Sequence, residues 1–252
     1  MDKIIIIPDV HGRNFWKSTP KDANLIFLGD YLDPYLDEEE FQEYDSYSDP
    51  NLFKKLKENL LEIIQVKKER PNDVILLLGN HDLPYMDIGE FCCRYTTDLQ
   101  QIKEYKSIFN ENRDLFQLCY TLNTEKEKYL FSHAGITEPW INEHPELFSD
   151  IKEEDLPQYI NKLFKEKDIY LYRALNEASF YRGGWTIAGS LVWADLQEMG
   201  NFNILKGYYQ IIGHSQLKKD PYIGEDFCCI DTRTWYDLND LEQRINGRNR
   251  SN

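Results

Sequence analysis

Residues 24–33 read NLIFLGDYLD: a run over 24–28 that is apolar after Asn24, followed at once by Gly29, Asp30 and, three positions on, Asp33. An apolar run of this length with no polar alternation predicts a short strand buried on both faces. The glycine and acid that end it predict a tight turn carrying a polar side chain out of the strand's carboxyl end. The same grammar recurs. Residues 3–8 (KIIIIP), 74–78 (VILLL), 128–131 (KYLF), 208–212 (YYQII) and 227–230 (FCCI) are further runs of the same kind.

Between these runs lie stretches of helical period. Leu52, Leu56, Leu60, Ile63 and Ile64 recur every three or four residues, and Pro71 predicts the end of that helix. Residues 98–118 and 145–180 also read as helical and are taken as insertions between strands. Residues 35–50 (YLDEEEFQEYDSYSDP) form an acidic, tyrosine-rich segment, expected to be a solvated loop or a lid over a site. Strands alternating with helices predict an α/β (α+β) architecture and a single domain over residues 1–240, with a frayed polar tail at 241–252.

The residues after each run carry the chemistry. The first run leads into Asp9-Val10-His11-Gly12-Arg13, the second into Gly29-Asp30-Tyr31-Leu32-Asp33 and the third into Gly79-Asn80-His81-Asp82. Then come Ser132-His133-Ala134-Gly135 and Gly213-His214-Ser215, so that of five histidines only His144 lies away from a strand end. Ligands of α/β sheets gather outside the carboxyl ends of strands, so the clusters are placed to converge. Carboxylate, imidazole and amide oxygen together suit hard-to-borderline divalent metals, and there are donors enough for two ions sharing one carboxylate. Any one cluster alone is ordinary turn chemistry; five in this order are not.

Composition sets the surroundings. The chain has 252 residues, 41% of them hydrophobic and 14% aromatic, which is too apolar for a disordered chain. With 29 Lys and Arg against 44 Asp and Glu the net charge is −15, which disfavours long nucleic acids as partners. An anionic substrate would need a local positive centre. No apolar run approaches the length of a membrane span, and residues 1–8 carry no leader pattern, so a cytoplasmic protein without membrane contact is expected. Cys92, Cys93, Cys119, Cys228 and Cys229 have neither zinc-finger nor disulfide-framework spacing and are expected to be reduced thiols.

The ordered series PDVHGR, GDYLDP, GNHD, SHAG and GHS resembles the calcineurin-like metallophosphoesterases. Within them it is most similar to the branch of serine/threonine phosphoprotein phosphatases and bacterial diadenosine tetraphosphatases, over residues 3 to about 235. The resemblance implies a central β-sandwich of two mixed sheets flanked by helices. It implies two divalent ions, Mn²⁺ first with Fe or Zn suiting the same donors, held by Asp9 and His11 on one side and by Asn80, His133 and His214 on the other, with Asp30 between. A hydroxide shared by the ions would attack phosphorus, His81 would protonate the leaving oxygen, and Asp33 would orient His81.

The departures are as informative. The phosphoprotein phosphatases usually read GDxVDRG at the second motif, and Pro34 stands here in place of the arginine that grips the phosphate. Arg13, and Arg182 in Tyr181-Arg182-Gly183-Gly184-Trp185, are the candidate replacements. Residues 189–195 (GSLVWAD) resemble the family's Trp-Ser-Asp-Pro region but differ on both sides of Asp195.

The expected function is a phosphomonoesterase acting on a phosphorylated substrate: phosphoprotein, small phosphomonoester or nucleotide. A symmetrical dinucleoside tetraphosphatase or a cyclic-nucleotide phosphodiesterase is the alternative within the family. The alternative outside enzymes is a non-catalytic scaffold of the same fold, against which the intact set of metal donors, His81 and Asp33 argues.

Overall fold

The computed structural model describes residues 3–248. Two five-stranded sheets lie at its centre. In the first, β1 (Ile4–Ile7), β2 (Asn24–Phe27), β3 (Val74–Leu77) and β4 (Phe116–Gln117) run parallel, and β10 (Tyr236–Asp237) pairs antiparallel with β1. The second has the order β5 (Cys119–Asn123), β6 (Lys128–Ser132), β7 (Tyr209–Ile212), β9 (Phe227–Cys229), β8 (Tyr222–Ile223). Within it β6, β7 and β9 are parallel while β5 and β8 are antiparallel edges. Two mixed sheets with helices outside them agree with the expected sandwich.

The unalternated runs follow from burial on two sides. Ile6, Ile26 and Leu77 of the first sheet pack with Tyr129, Phe131 and Ile211 of the second, forming the filling of the sandwich. Their chain neighbours Ile5, Ile7, Leu25, Phe27 and Leu76 point the other way, into a larger core shared with the helices. Helix α1 (Pro50–Glu69) lays the apolar stripe Leu52, Leu56, Leu60, Ile63 and Ile64 on that face. It starts where the Asp49 carboxylate accepts from the Asn51 and Leu52 amides, with Pro50 at the first helical position. The same core takes in residues of α2 (Leu99–Glu111), α3 (Glu138–Glu143), α4 (Pro145–Phe148), α5 (Leu156–Glu166) and α6 (Ile169–Leu175), with α5 packed on β5 of the second sheet, while α7 (Leu196–Asn201) leads toward β7. No helix among the described residues is long and apolar enough to cross a membrane.

Three expectations need correction. The helical stretch expected over 98–118 ends at Glu111, and Phe116–Gln117 is the strand β4, too short to leave a periodic signal. The polar tail expected from residue 241 is, up to residue 248, the second half of α8 (Leu238–Arg248); residues 249–252 lie outside the described part. Leu238, Leu241 and Ile245 recur on one helical face and close the second core, which the polar residues around them obscured.

Residues 35–50 form a loop of turns and bends up to the start of α1, but one anchored in the core rather than wholly solvated. Phe41 is fully buried in the main core, and Glu38 is the centre of a tie between distant segments. Its carboxylate accepts Arg13 Nε and Nη2, both at 2.7 Å, and Arg233 Nε at 2.7 Å. Arg13 in turn donates to the Asp9 carbonyl at 3.2 Å, which binds the loop after β1 to this acidic segment. Burial alone would raise the Glu38 carboxyl, but Arg13 and then Arg233 hold it below its ordinary value.

A carboxyl depressed on folding stabilises above its unfolded pKa and loses that contribution as pH falls through the lower folded value. Glu38→Gln should therefore destabilise the protein by about 2 kcal/mol at neutral pH, between the exposed and buried limits for an ion pair. In urea unfolding followed downward from neutral pH, the gap to wild type should close below about pH 4. A gap independent of pH would show that the tie is packing and not charge.

Candidate metal centre

Each expected ligand sits one to four residues past a parallel strand. Asp9 and His11 follow β1, Asp30 follows β2, Asn80 and His81 follow β3, His133 follows β6 and His214 follows β7. Because β1–β3 and β6–β7 each run parallel, the two sheets present these ends at one edge of the sandwich. The backbone there is unusual: His11, Asp30, Asp33 and His214 all have positive φ, between 44° and 61°. Such conformations are costly for residues with side chains and persist where the surroundings hold them.

Asp82 does much of that holding around Asp30. Fully buried, its carboxylate accepts the Gly79 and Asp30 amides at 2.8 Å and the Tyr31 amide at 2.9 Å, locking the β2 and β3 loops together. The sequence showed Asp82 within a motif but gave no reason to assign it this work. Glycine is required nearby for space. A Cβ on Gly79 would stand 2.2 Å from Asp30 Oδ1, and one on Gly213 would stand 2.3 Å from Asp9 Oδ1.

The side chains form two joined clusters. Asp9, His11 and Asp30 make one group, and Asp30, His133 and His214 the other, each with donor atoms mutually within 4.8 Å. Asp30 Oδ2 is 3.5 Å from His11 Nε2 and 3.5 Å from His133 Nε2, so it is common to both. His133 Nε2 also lies 3.0 Å from Asn80 Oδ1 and 3.1 Å from His214 Nδ1. All these residues are buried except His214, which is partly open.

This donor set fits divalent cations on its own chemistry. His11 Nδ1 is 2.8 Å from the Leu32 carbonyl and His133 Nδ1 is 2.9 Å from the Leu28 carbonyl. A carbonyl can only accept, so both rings carry a proton on Nδ1 and turn Nε2 inward. For His133, Nε2 faces the acceptor oxygens of Asn80 and Asp30, an arrangement a cation between them would satisfy. Burial holds both the His11 and His214 imidazoles well below their usual pKa, hence neutral, as ligation demands. His214 Nε2 is buried without a partner.

At the rim, His81 Nδ1 is 2.9 Å from Asp33 Oδ2, and the Tyr85 hydroxyl donates to Asp33 Oδ1 at 2.7 Å. Burial alone would lower the His81 pKa, but the Asp30 and Asp33 carboxylates more than offset it and raise it well above the ordinary value. His81 lines an open pocket of about 280 Å³ with Asp9, His11, Asp30, Asn80 and His214. Asp33 and His133 stand behind these residues.

The two arginines proposed for phosphate part company here. Arg182 lines the pocket, paired through Nε with Asp195 Oδ2 at 2.7 Å and donating from Nη2 to Ser215 Oγ at 2.6 Å. Asp195, which also caps α7, thereby acquires a role that its flanking residues did not suggest. Arg13 is absent from the pocket wall: its guanidinium is buried and committed to Glu38. In its stead the pocket contains Arg94, stacked 3.7 Å over the Tyr35 ring with Nη2 at 3.0 Å from His81 Nε2. Sequence reading passed over Arg94 because it follows His81 by thirteen residues within an irregular segment. A larger cleft of about 410 Å³, walled by Met199, Phe202, Tyr208, Tyr222 and Phe227, contains none of these groups.

Comparisons with known proteins bear on the fold and the family. A protein serine/threonine phosphatase from Saccharomyces cerevisiae, described as similar to human phosphatase PP5, superposes with a TM-score of 0.51 at 14% identity. The alignment covers 91% of this chain and 66% of that one, a likeness of fold. A protein of unknown function, AQ665 from Aquifex aeolicus, aligns over 97% of this chain and 100% of that one with 13% identity and a TM-score of 0.34. No curated protein matches the sequence. The model of the calcineurin-like phosphoesterases matches residues 3–216. With most of its length matched, and with the strand-end clusters inside the match, the chain belongs to the calcineurin-like phosphoesterase family.

Proposed function

We propose that the protein is a dimetal phosphomonoesterase, hydrolysing a terminal phosphate on a protein or a small molecule. The observation that carries this reading is the buried Asp30 carboxylate shared by two donor clusters, with His81 and two arginines on the pocket wall beside it. Asp9, His11 and Asp30 would hold one divalent ion; Asp30, Asn80, His133 and His214 would hold the second. Mn²⁺ is the ion of choice for assay, and iron or zinc suits the same donors. When bound, such ions supply Lewis-acid charge to phosphoryl oxygens and a water acidic enough to act as nucleophile near neutral pH.

The chain's own residues do the rest. Arg182, held in place by Asp195 and Ser215, presents its guanidinium to one phosphoryl oxygen. Arg94 sits 3.0 Å from His81 Nε2, and an arriving phosphate draws that guanidinium away. With Arg94 turned to the anion, His81, whose pKa the Asp30 and Asp33 carboxylates raise, holds a proton from solvent on Nε2 while Asp33 accepts from Nδ1–H and fixes the ring. His81 then delivers the proton to the leaving oxygen. Tyr85 holds the other oxygen of Asp33, so the carboxylate cannot swing away from the ring.

The test is turnover of p-nitrophenyl phosphate, a phosphoserine peptide and diadenosine tetraphosphate by Mn²⁺-reloaded protein. Phosphate release from the two monoesters is expected; cleavage of the dinucleotide alone would replace this reading with pyrophosphohydrolysis. Asp30→Asn should cost more than the roughly 10–100-fold typical of a residue that merely supports a metal ligand. Full occupancy by two ions in that variant would refute the shared carboxylate.

His81→Asn should leave metal content unchanged and lower kcat roughly 10²- to 10⁴-fold on the phosphoserine peptide, whose alkoxide leaves poorly. It should cost far less on p-nitrophenyl phosphate, whose phenolate needs no proton. Equal losses on both esters would remove His81 from the proton-donor role.

A further inference from the structure

The phosphoesterase reading leaves one feature of the pocket wall unused. Cys92 and Cys93 line it, exposed, whereas Cys119, Cys228 and Cys229 are buried elsewhere. Their Sγ atoms are 3.7 Å apart, and together with a ring nitrogen of His81 they lie mutually within 4.8 Å. The irregular segment that carries them is pinned by Phe91, whose ring packs 4.9 Å from Tyr85 and stacks 4.6 Å from Tyr95. The thiols are therefore brought to His81 by packing.

We propose that Cys92, Cys93 and His81 form a separate site for one thiophilic cation, of the Zn²⁺ or Cd²⁺ class, whose binding withdraws His81 from proton transfer. Two thiolates on a tetrahedral zinc at about 2.3 Å each stand about 3.8 Å apart, close to the spacing found here. Two sulfurs and an imidazole select against Mn²⁺ and Mg²⁺, so this site and the carboxylate-rich pair prefer different ions. Because Asp33 occupies Nδ1 of His81, Nε2 is the atom left to ligate, the same atom that would protonate the leaving group.

Coordination takes His81 through a bare Nε2, so the Nε2 proton and the two thiol protons are released to solvent. Arg94, which contacts His81 Nε2, has to turn aside for the cation, and the Tyr35 face offers it a place to remain. A cation at this position would make turnover sensitive to thiophilic metals without emptying the catalytic centre.

The experiment is titration of Mn²⁺-loaded protein with Cd²⁺, following the ultraviolet thiolate-to-cadmium charge-transfer band, free Mn²⁺ by electron paramagnetic resonance, and turnover of the phosphoserine peptide. One equivalent should raise the band, release no Mn²⁺ and slow the peptide reaction roughly 10²-fold or more, as loss of a general acid does. The double variant C92S/C93S should show neither band nor Cd²⁺ inhibition. A band that survives the double variant, or Cd²⁺ that acts by expelling Mn²⁺ with no band, would overturn the site. The band reads the site directly, so it decides this inference even if none of the phosphate esters is turned over.

Discussion

The interaction on which the rest depends is the sharing of one buried carboxylate between two sheets. Asp30 leaves the first sheet at the end of β2, yet its Oδ2 stands equally far, 3.5 Å, from His11 of its own sheet and His133 of the other. A buried charge is costly unless it is paired and hydrogen-bonded. Here its Oδ1 accepts the His81 amide at 2.9 Å while its Oδ2 faces His11 and His133. The left-handed backbone at Asp30, the three amides gathered by Asp82 and the glycines that admit the carboxylate all follow from placing that group where both strand ends can reach it.

The electrostatics of the molecule are arranged around the same point. A chain of net charge −15 repels anions at long range. The pocket reverses this locally with Arg94 and Arg182, and would do so further with divalent ions on the donor clusters. Arg13 illustrates how such a cation can be spent on architecture: it couples the β1 loop, through Glu38, to a segment whose Phe41 is core. The acidic segment is thus anchored through Glu38 and Phe41, while Tyr35 at its start lines the pocket.

Much of this was legible in the sequence because burial on both faces leaves runs with no polar alternation, and because strand ends with glycine, acid and histidine are rare in series. All six apolar runs lie on strands, and the chemistry-bearing clusters that follow them meet at one edge. What escaped was short or indirect. β4, β8 and β10 have two residues each, and β5 is a half-exposed edge strand, so none leaves an apolar run. Arg94 reaches His81 through an irregular segment placed by aromatic stacking, a tertiary effect that no local pattern records. The apolar stripe of α8, by contrast, was present in the sequence and was masked by the polar residues around it.

The central claim is that two ions share Asp30, and the most direct measurement is electron paramagnetic resonance of metal-stripped protein titrated with Mn²⁺. The account requires two ions per chain and, as the second binds, the multiline spectrum of an exchange-coupled pair. Saturation at one ion, or two ions that never couple, would contradict it.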